Sequence, residues 1–161
     1  MSMRFIRSRV GISVFAFVVA CCLSETRAET TVAMKDLPSA ARAAAEKLTA
    51  GGSLKRITLE KQAGGDAYVV EANVSGKTRE FTLAADGTLL AEEEDLAFAD
   101  LPEAVRTAAE AYFGTTHRLH ASKELAKDVT SYEVEGKKSG KAMSVKFNPA
   151  GALLEEEQDE D

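Results

Sequence analysis

The sequence has few of the residues that usually carry crosslinks or reactive groups. Among its 161 residues there is no tryptophan, three prolines and two cysteines, and aromatic residues make up 6%. Both cysteines, Cys21 and Cys22, lie in an apolar run near the start of the chain. A chain processed beyond them has no disulfide and no cysteine nucleophile, so its stability must come from packing.

The sequence also lacks the short motifs of common enzyme classes. The Gly-x-Ser-x-Gly motif of hydrolases, the phosphate-binding P-loop and the His-Glu-x-x-His motif of metalloproteases are all missing. The 26 acidic residues outnumber the 20 basic ones, which gives a net charge of −6. Nucleic-acid binding needs lysine and arginine to neutralise phosphates. We therefore expect a non-enzymatic protein with no catalytic residue, no cofactor and no nucleic-acid partner.

Residues 1–28 have the features of a secretory signal peptide. Three arginines within the first nine residues precede an apolar run from Val10 to Leu23, and the small residue Ala28 follows a polar stretch. The apolar run is shorter than the roughly 20 residues that a membrane span needs. We predict that this signal is removed after Ala28 and that the protein is exported to the periplasm or secreted.

A second processing site is an open alternative. The stretch Val18-Val19-Ala20-Cys21 resembles the lipobox of bacterial lipoproteins, in which the cysteine becomes the lipidated first residue. Processing there would make Cys21 the lipidation site and anchor the protein to a membrane. We expect contact with a membrane only in that case.

The rest of the chain contains an internal repeat. The stretch Asp36 to Arg42 returns as Asp100 to Arg106, and this offset of 64 residues continues without a gap to the end of the chain. Tyr68 therefore corresponds to Tyr132. A repeat of this kind indicates a duplicated structural unit. We predict a single domain over residues 29–161 that consists of two repeats, about 33–96 and 97–161.

Each repeat begins with a helical pattern. In the second repeat, apolar residues from Leu101 to Phe113 recur at the spacing of one helix face. Asp100 and Glu103 have the spacing of a capping box, and Gly114 is expected to end the helix. The first repeat has a similar but alanine-rich stripe, which Gly51 follows.

Alternating apolar and polar residues follow each helix and predict strands with one buried face. Ser75-Gly76 and Asp86-Gly87 separate these runs and favour tight hairpin turns. The stretch Glu92 to Ala99 is interpreted as a link between the repeats. The predicted fold class is α+β: two tandem helix-plus-antiparallel-strand repeats form one continuous antiparallel sheet, with both helices packed on one face.

The order of these motifs resembles the PepSY and PepSY-like domains of exported bacterial proteins. The resemblance rests on Leu37 to Arg42, on Tyr68 to Glu71 and on Asp86 to Leu90, together with their counterparts in the second repeat. That family is similar in fold to proteinaceous β-lactamase inhibitors, which are tandem repeats with helices on one side of a sheet. The resemblance implies an exported binding module, an inhibitor or regulator of a peptidase or another envelope protein. It supplies no catalytic residue.

The strand alternation predicts which residues face a partner. If the helices cover the face that bears Tyr68, Val70, Phe81 and their counterparts, the opposite face stays open. The predicted partner-binding residues on it are Val69, Glu71, Glu80, Thr82, Glu133, Glu135 and Lys146. Because tryptophan and arginine anchors are missing there, we expect a weak or polar interaction with a protein of the cell envelope. The alternative is a hydrated sheet face without a partner.

Two acidic runs, Glu92 to Asp95 and Glu155 to Asp161, raise the alternative of a calcium-binding envelope protein. The weak candidate ligands are Glu93, Glu94, Asp95, Glu156, Glu157 and Asp159. Neither run has the spaced aspartates of a preorganised calcium loop, so no metal site is assigned. His117 and His120 are also set aside, because this spacing puts them on opposite faces of an extended segment with no third ligand nearby.

Overall fold

The computed structural model describes residues 30–62, 65–114 and 118–158. Two helices occur in these ranges, α1 (Ser39–Leu48) and α2 (Glu103–Phe113), each preceded by a short 3-10 helix (Met34–Asp36 and Phe98–Asp100). The strands are β1 (Thr30–Thr31), β2 (Ser53–Gln62), β3 (Gly65–Val74), β4 (Lys77–Ala84), β5 (Leu89–Leu96), β6 (His120–Ala126), β7 (Val129–Lys138), β8 (Lys141–Phe147) and β9 (Leu153–Gln158).

The strands form one antiparallel sheet in chain order, from β1 at one edge to β9 at the other. The tight turns between β3 and β4 and between β7 and β8 each use a serine and a glycine with positive φ: Ser75 and Gly76, then Ser139 and Gly140. Two positive φ values in succession give the turn a twist that matches the right-handed twist of its strands. The hairpins predicted at Ser75-Gly76 and Asp86-Gly87 are confirmed.

The predicted fold class is wrong. The structure is mostly sheet, a single antiparallel sheet of nine strands with two helices, and it is not a pair of helix-plus-strand repeats. Strand β1 precedes the first helix, and β5 pairs with β6 across the predicted boundary from Ala91 to Leu96. Backbone hydrogen bonding joins any two neighbouring strands, whatever copy of a sequence pattern they come from. The sheet is therefore the structural unit.

The predicted link from Glu92 to Ala99 is also largely strand. Residues up to Leu96 belong to β5, which pairs with β4 on one side and with β6 on the other. The sequence does not predict this strand, because the acidic run within it has no alternation of apolar and polar side chains. Its carboxylates are accommodated by neighbours across the strands, as in the ion pair between Glu94 and Arg79.

The ends of α2 differ from their predictions in one respect. Asp100 is not the N-cap: the helix begins at Glu103, Pro102 holds the N-cap position, and it has no side-chain cap. Asp100 instead lies in the preceding 3-10 helix. At the other end, Gly114 has φ 69° and donates its N–H to the carbonyl oxygen of Glu110, so the predicted helix end is confirmed.

The buried apolar side chains form two clusters, one around each helix. The first includes Leu37, Ala41, Ala45, Ile57, Tyr68, Val70, Phe81 and Leu83. The second includes Leu101, Val105, Ala109, Phe113, Ala121, Val134, Met143, Val145 and Phe147. The strand residues predicted for the covered face belong to these clusters, with Tyr132 packed against the second. Within the described ranges, neither helix has the length and apolar character needed to cross a membrane.

Candidate functional site

Four glutamates form a row across the middle of the sheet, on the face opposite the apolar clusters. Glu71 on β3 is directly opposite Glu80 on β4, Glu80 is opposite Glu93 on β5, and Glu93 is opposite Glu124 on β6. Directly opposite side chains in an antiparallel sheet project to the same face, with Cβ atoms about 4.5–5.5 Å apart. We call these four residues the glutamate row.

Cations contact the two ends of the glutamate row. At the β3 end, the Nζ atom of Lys55 lies 3.4 Å from Oε1 of Glu71, and Nη2 of Arg56 lies 3.7 Å from Oε2. At the β6 end, the Nζ atom of Lys146 lies 2.8 Å from Oε2 of Glu124. None of the ion pairs between described residues involves Glu80 or Glu93. The middle of the row therefore faces mainly other carboxyls.

The two middle glutamates have raised pKa values. Burial raises the pKa of Glu80 to about 8, and the negative charges of Glu93, Glu71 and Glu60 add to this effect. Burial also raises the pKa of Glu93 to about 7, although a hydrogen bond with Ser122 lowers it. Both carboxyls therefore keep their protons to a higher pH than an ordinary glutamate does.

The other half of the same face centres on Lys146. Glu133 is opposite both Ser122 and Lys146, and the hydroxyl of Ser144 donates a hydrogen bond to its carboxylate. Burial lowers the pKa of Lys146, but the hydrogen bond with Glu124 and the charges of Glu133 and Glu155 outweigh this effect and raise it. Lys146 thus stays charged between three carboxylates.

The predicted partner-binding residues lie together on this face. Three pairs are direct neighbours across strands: Val69 with Thr82, Glu71 with Glu80, and Glu133 with Lys146. Glu135 is opposite Ser144 and His120. Their role in binding stays a prediction, since the structure contains no partner.

Sequence reasoning missed the members of the row on β5 and β6. From the sequence, Glu93 is predicted only as a weak candidate metal ligand, and Glu124 is not predicted as a site residue. Their place in the row depends on the register of β5 against β4 and β6. That register cannot be predicted if Glu92 to Ala99 is interpreted as a link between the repeats. If the acidic run is taken as a strand, the two-residue period of a strand puts Glu93 and Asp95 on one face, but no local signal indicates which residue on β6 lies opposite them.

The candidate calcium ligands are divided between the two faces. Glu94 is opposite Arg79 and pairs with Lys77 and Arg79, and Glu156 is opposite the core residue Val145. Glu93, Asp95 and Glu157 project from the other face. No group of three or more histidine, cysteine or acidic side chains among the described residues is placed to hold a metal ion. Asp159, His117 and Cys21 lie outside the described residues.

Comparison with known proteins shows the fold. A BLIP-like protein of Bacteroides fragilis is 23% identical, with a TM-score of 0.58 over 78% of this chain and 89% of the other. A DUF2874 family protein of Bacteroides ovatus is 13% identical, with a TM-score of 0.60 over 76% and 87%. A protein of Bacteroides eggerthii, provisionally named as periplasmic, is 17% identical, with a TM-score of 0.61 over 76% and 88%.

These likenesses establish a fold shared with BLIP-like and DUF2874 proteins, which is consistent with a β-lactamase-inhibitor-like fold. No family model matches the chain, and no curated protein matches its sequence. Membership of the PepSY-like family therefore stays a prediction. At these identities the likeness concerns the backbone arrangement, and the residues of the glutamate row must be interpreted from this chain alone.

Proposed function

We propose that the protein is an exported, non-enzymatic binding module whose open sheet face holds a protein partner with basic side chains. The observation that carries this proposal is the glutamate row, together with Glu133 and Glu135 on the same face. A partner's lysine or arginine can form charge-assisted hydrogen bonds with the less buried carboxylates of this face, Glu135, Glu155 and Glu157. The middle of the row, where the pKa values of Glu80 and Glu93 are raised, contributes mainly neutral carboxyls. The BLIP-like name of one structural neighbour supports a protein as the partner.

The face has the chemistry of a polar, moderate-affinity interface. Ser122 and Ser144 are buried between the acidic side chains and hydrogen-bond to Glu93 and Glu133. Tryptophan, the strongest interface anchor, does not occur in the chain. Electrostatic complementarity of this kind contributes mainly to specificity and to the rate of association. We therefore expect binding that weakens as salt is added.

The role of this binding is proposed to be inhibition or regulation of a peptidase or another envelope protein. It follows from the PepSY-like motifs and from a signal peptide that would export the chain. The provisional periplasmic name of the Bacteroides eggerthii neighbour agrees with that location. Lipidation at Cys21 would keep the same module at a membrane surface. A calcium-binding role is not proposed, because the acidic runs alternate between the two faces.

Site-specific photo-crosslinking in the exporting cell tests the proposal. A photoreactive residue at Glu135, on the open face, is expected to capture a partner protein. The same residue at Glu110, exposed on α2, is the matched control and is expected to capture none. A second variant at Glu157 would show whether the contact extends across the face to β9.

Charge-reversal variants on the open face show whether the crosslink at Glu135 depends on its acidic side chains. Glu155→Lys with Glu157→Lys should reduce the crosslink at Glu135, because the two changes replace negative charge by positive charge on the same face. Equal capture from Glu135 and Glu110, or a crosslink that survives both lysine changes and rising salt, would contradict an acidic binding face.

A further inference from the structure

We propose that protonation of the glutamate row stabilises the pairing of strands β3 to β6. The central strands pair most stably while Glu80 and Glu93 carry protons, and their pairing becomes less stable as these two side chains ionise. This device belongs to the chain alone, so it stands or fails independently of the proposed partner.

The register of the sheet provides the geometry. Each member of the row is directly opposite the next, on four successive strands. Like charges directly opposite one another destabilise a strand pair. Three such contacts follow one another here. Among the described residues, cations form ion pairs with only two members of the row, Glu71 and Glu124 at its ends. The charge of Arg56 also lowers the pKa of Glu80, but burial and the neighbouring carboxylates outweigh it.

Bound protons remove the repulsion between carboxylates at Glu80 and Glu93, where the described residues form no ion pair. A protonated carboxyl is neutral and can donate a hydrogen bond, whereas an ionised one only accepts. With protons on Glu80 and Glu93, the two middle members of the row are neutral, so neighbouring members no longer repel each other as like charges. The raised pKa values of these two carboxyls agree with this arrangement.

Other charged groups on the same face set the strength of the effect. Glu60 adds negative charge beside Glu80, and Asp95 and Glu133 add it beside Glu93. The charged or titratable side chains that face the row or its flanks are Lys55, Arg56 and Glu60 from β2, Asp95 from β5, His120 from β6, Glu133 and Glu135 from β7, Lys146 from β8, and Glu155 and Glu157 from β9. Their sum is negative, so the row favours bound protons.

The sign of the pH dependence follows from linkage. A folded-state pKa raised above the unfolded value means that the folded state holds more protons between the two values. Stability from these groups is therefore present below the unfolded pKa of about 4.5 and is lost as pH rises towards about 7 for Glu93 and about 8 for Glu80. The unfolding equilibrium constant should rise with pH, by at most about tenfold per pH unit for each group.

Urea unfolding of the protein, purified as the cell processes it, tests this dependence from about pH 5 to about pH 8.5. The wild type should show an unfolding constant at least about tenfold larger at the upper end than at the lower end. Glu80→Gln with Glu93→Gln should flatten the profile, because glutamine imitates a protonated glutamate and cannot ionise. Parallel profiles for the wild type and this double variant would overturn the proposal.

Glu94→Gln is the matched control. Glu94 is the neighbour of Glu93 but projects from the other face, where Lys77 and Arg79 hold its pKa low through hydrogen bonds and charge. This variant should keep the wild-type slope above about pH 5, because a group with a lowered pKa is already ionised there.

If the double variant does not fold, the proposal can still be tested by titrating the glutamate carboxyls of the wild type. Carbon-13 resonances of the glutamate side chains report each carboxyl, and two of them, assigned to Glu80 and Glu93, should titrate above about pH 6. If fewer than two do so, the proposal is wrong. Hydrogen exchange should also show the amides of β4 and β5 losing protection at high pH before those of β8.

Discussion

The turn between β8 and β9 offers a sharp test of how the sheet and helix α2 are joined. Gly151 in this turn has φ 79°, and a Cβ atom added there would lie 2.5 Å from the carbonyl oxygen of Ala104 and 2.8 Å from its carbonyl carbon. Both atoms belong to the helix backbone and cannot move aside as a flexible side chain would. Gly151→Ala therefore forces either the turn or the first turn of α2 to shift.

A second glycine separates the two contributions to the cost. Gly140 has a similar φ of 84° but has nothing within 4 Å of an added Cβ atom. Gly140→Ala should cost only the left-handed backbone strain, about 1–2 kcal/mol of unfolding free energy. Gly151→Ala should cost that strain plus an overpacking contribution of about 1–3 kcal/mol. The difference between the two variants isolates the steric contact with the helix.

The assay is urea unfolding of both variants at one pH, followed by circular dichroism. Gly87→Ala serves as a second steric case, because its added Cβ atom would lie 2.8 Å from the carbonyl oxygen of Ala40. Equal losses for Gly151→Ala and Gly140→Ala would refute the reasoning, since they would mean that the turn does not rest on the helix. A changed urea dependence would point instead to an altered unfolded or native state.

Three further predictions concern the core, the surface and the ion pairs. Phe81→Ala should cost about 3–5 kcal/mol in urea unfolding, because Phe81 is 1% exposed in the first cluster. Val129→Ala, at a side chain that is 63% exposed, should change the unfolding free energy by less than about 0.5 kcal/mol, and a larger loss would show that this side chain is covered in solution. Glu94→Gln should lower stability at neutral pH, because Lys77 and Arg79 form ion pairs with Glu94 and lower its pKa. The difference from wild type should begin to shrink as pH falls below the ordinary value and should vanish once pH is below the lowered folded-state pKa; a difference that does not shrink with pH would exclude the ion pairs as its cause.

Much of the strand pattern could be predicted from the sequence, because the relevant signals are local. The run from Met143 to Phe147 alternates between apolar and polar residues, and it lies in β8 (Lys141–Phe147). In the turn at Ser75-Gly76 both residues take positive φ values, and glycine, which adopts such values without a steric cost, is the local signal for the turn. The buried residues Val70, Phe81 and Val134 follow from the same period of two.

The parts that could not be predicted depend on distant contacts. The strand β5 has no apolar alternation, and its place in the sheet comes from pairing with β4 and β6. The glutamate row exists only once those registers are fixed, so no local pattern around Glu124 could indicate it. The capping-box prediction at Asp100 failed for a related reason, since the preceding 3-10 helix carries the chain into α2 through Pro102.

The distribution of charge argues against an ordinary hydrated face. On the side of the apolar clusters, the carboxylates Glu92 and Glu94 are matched by Arg79, with Lys77 also at Glu94. On that face, β4 and β5 thus place cations beside acids. On the open face the same two strands carry Glu80 and Glu93 opposite each other, which lowers stability relative to a pair of opposite charge. Violations of a local folding rule are expected where a surface serves something other than folding, and this contrast between the faces of the same two strands supports the proposal that the open face binds a partner.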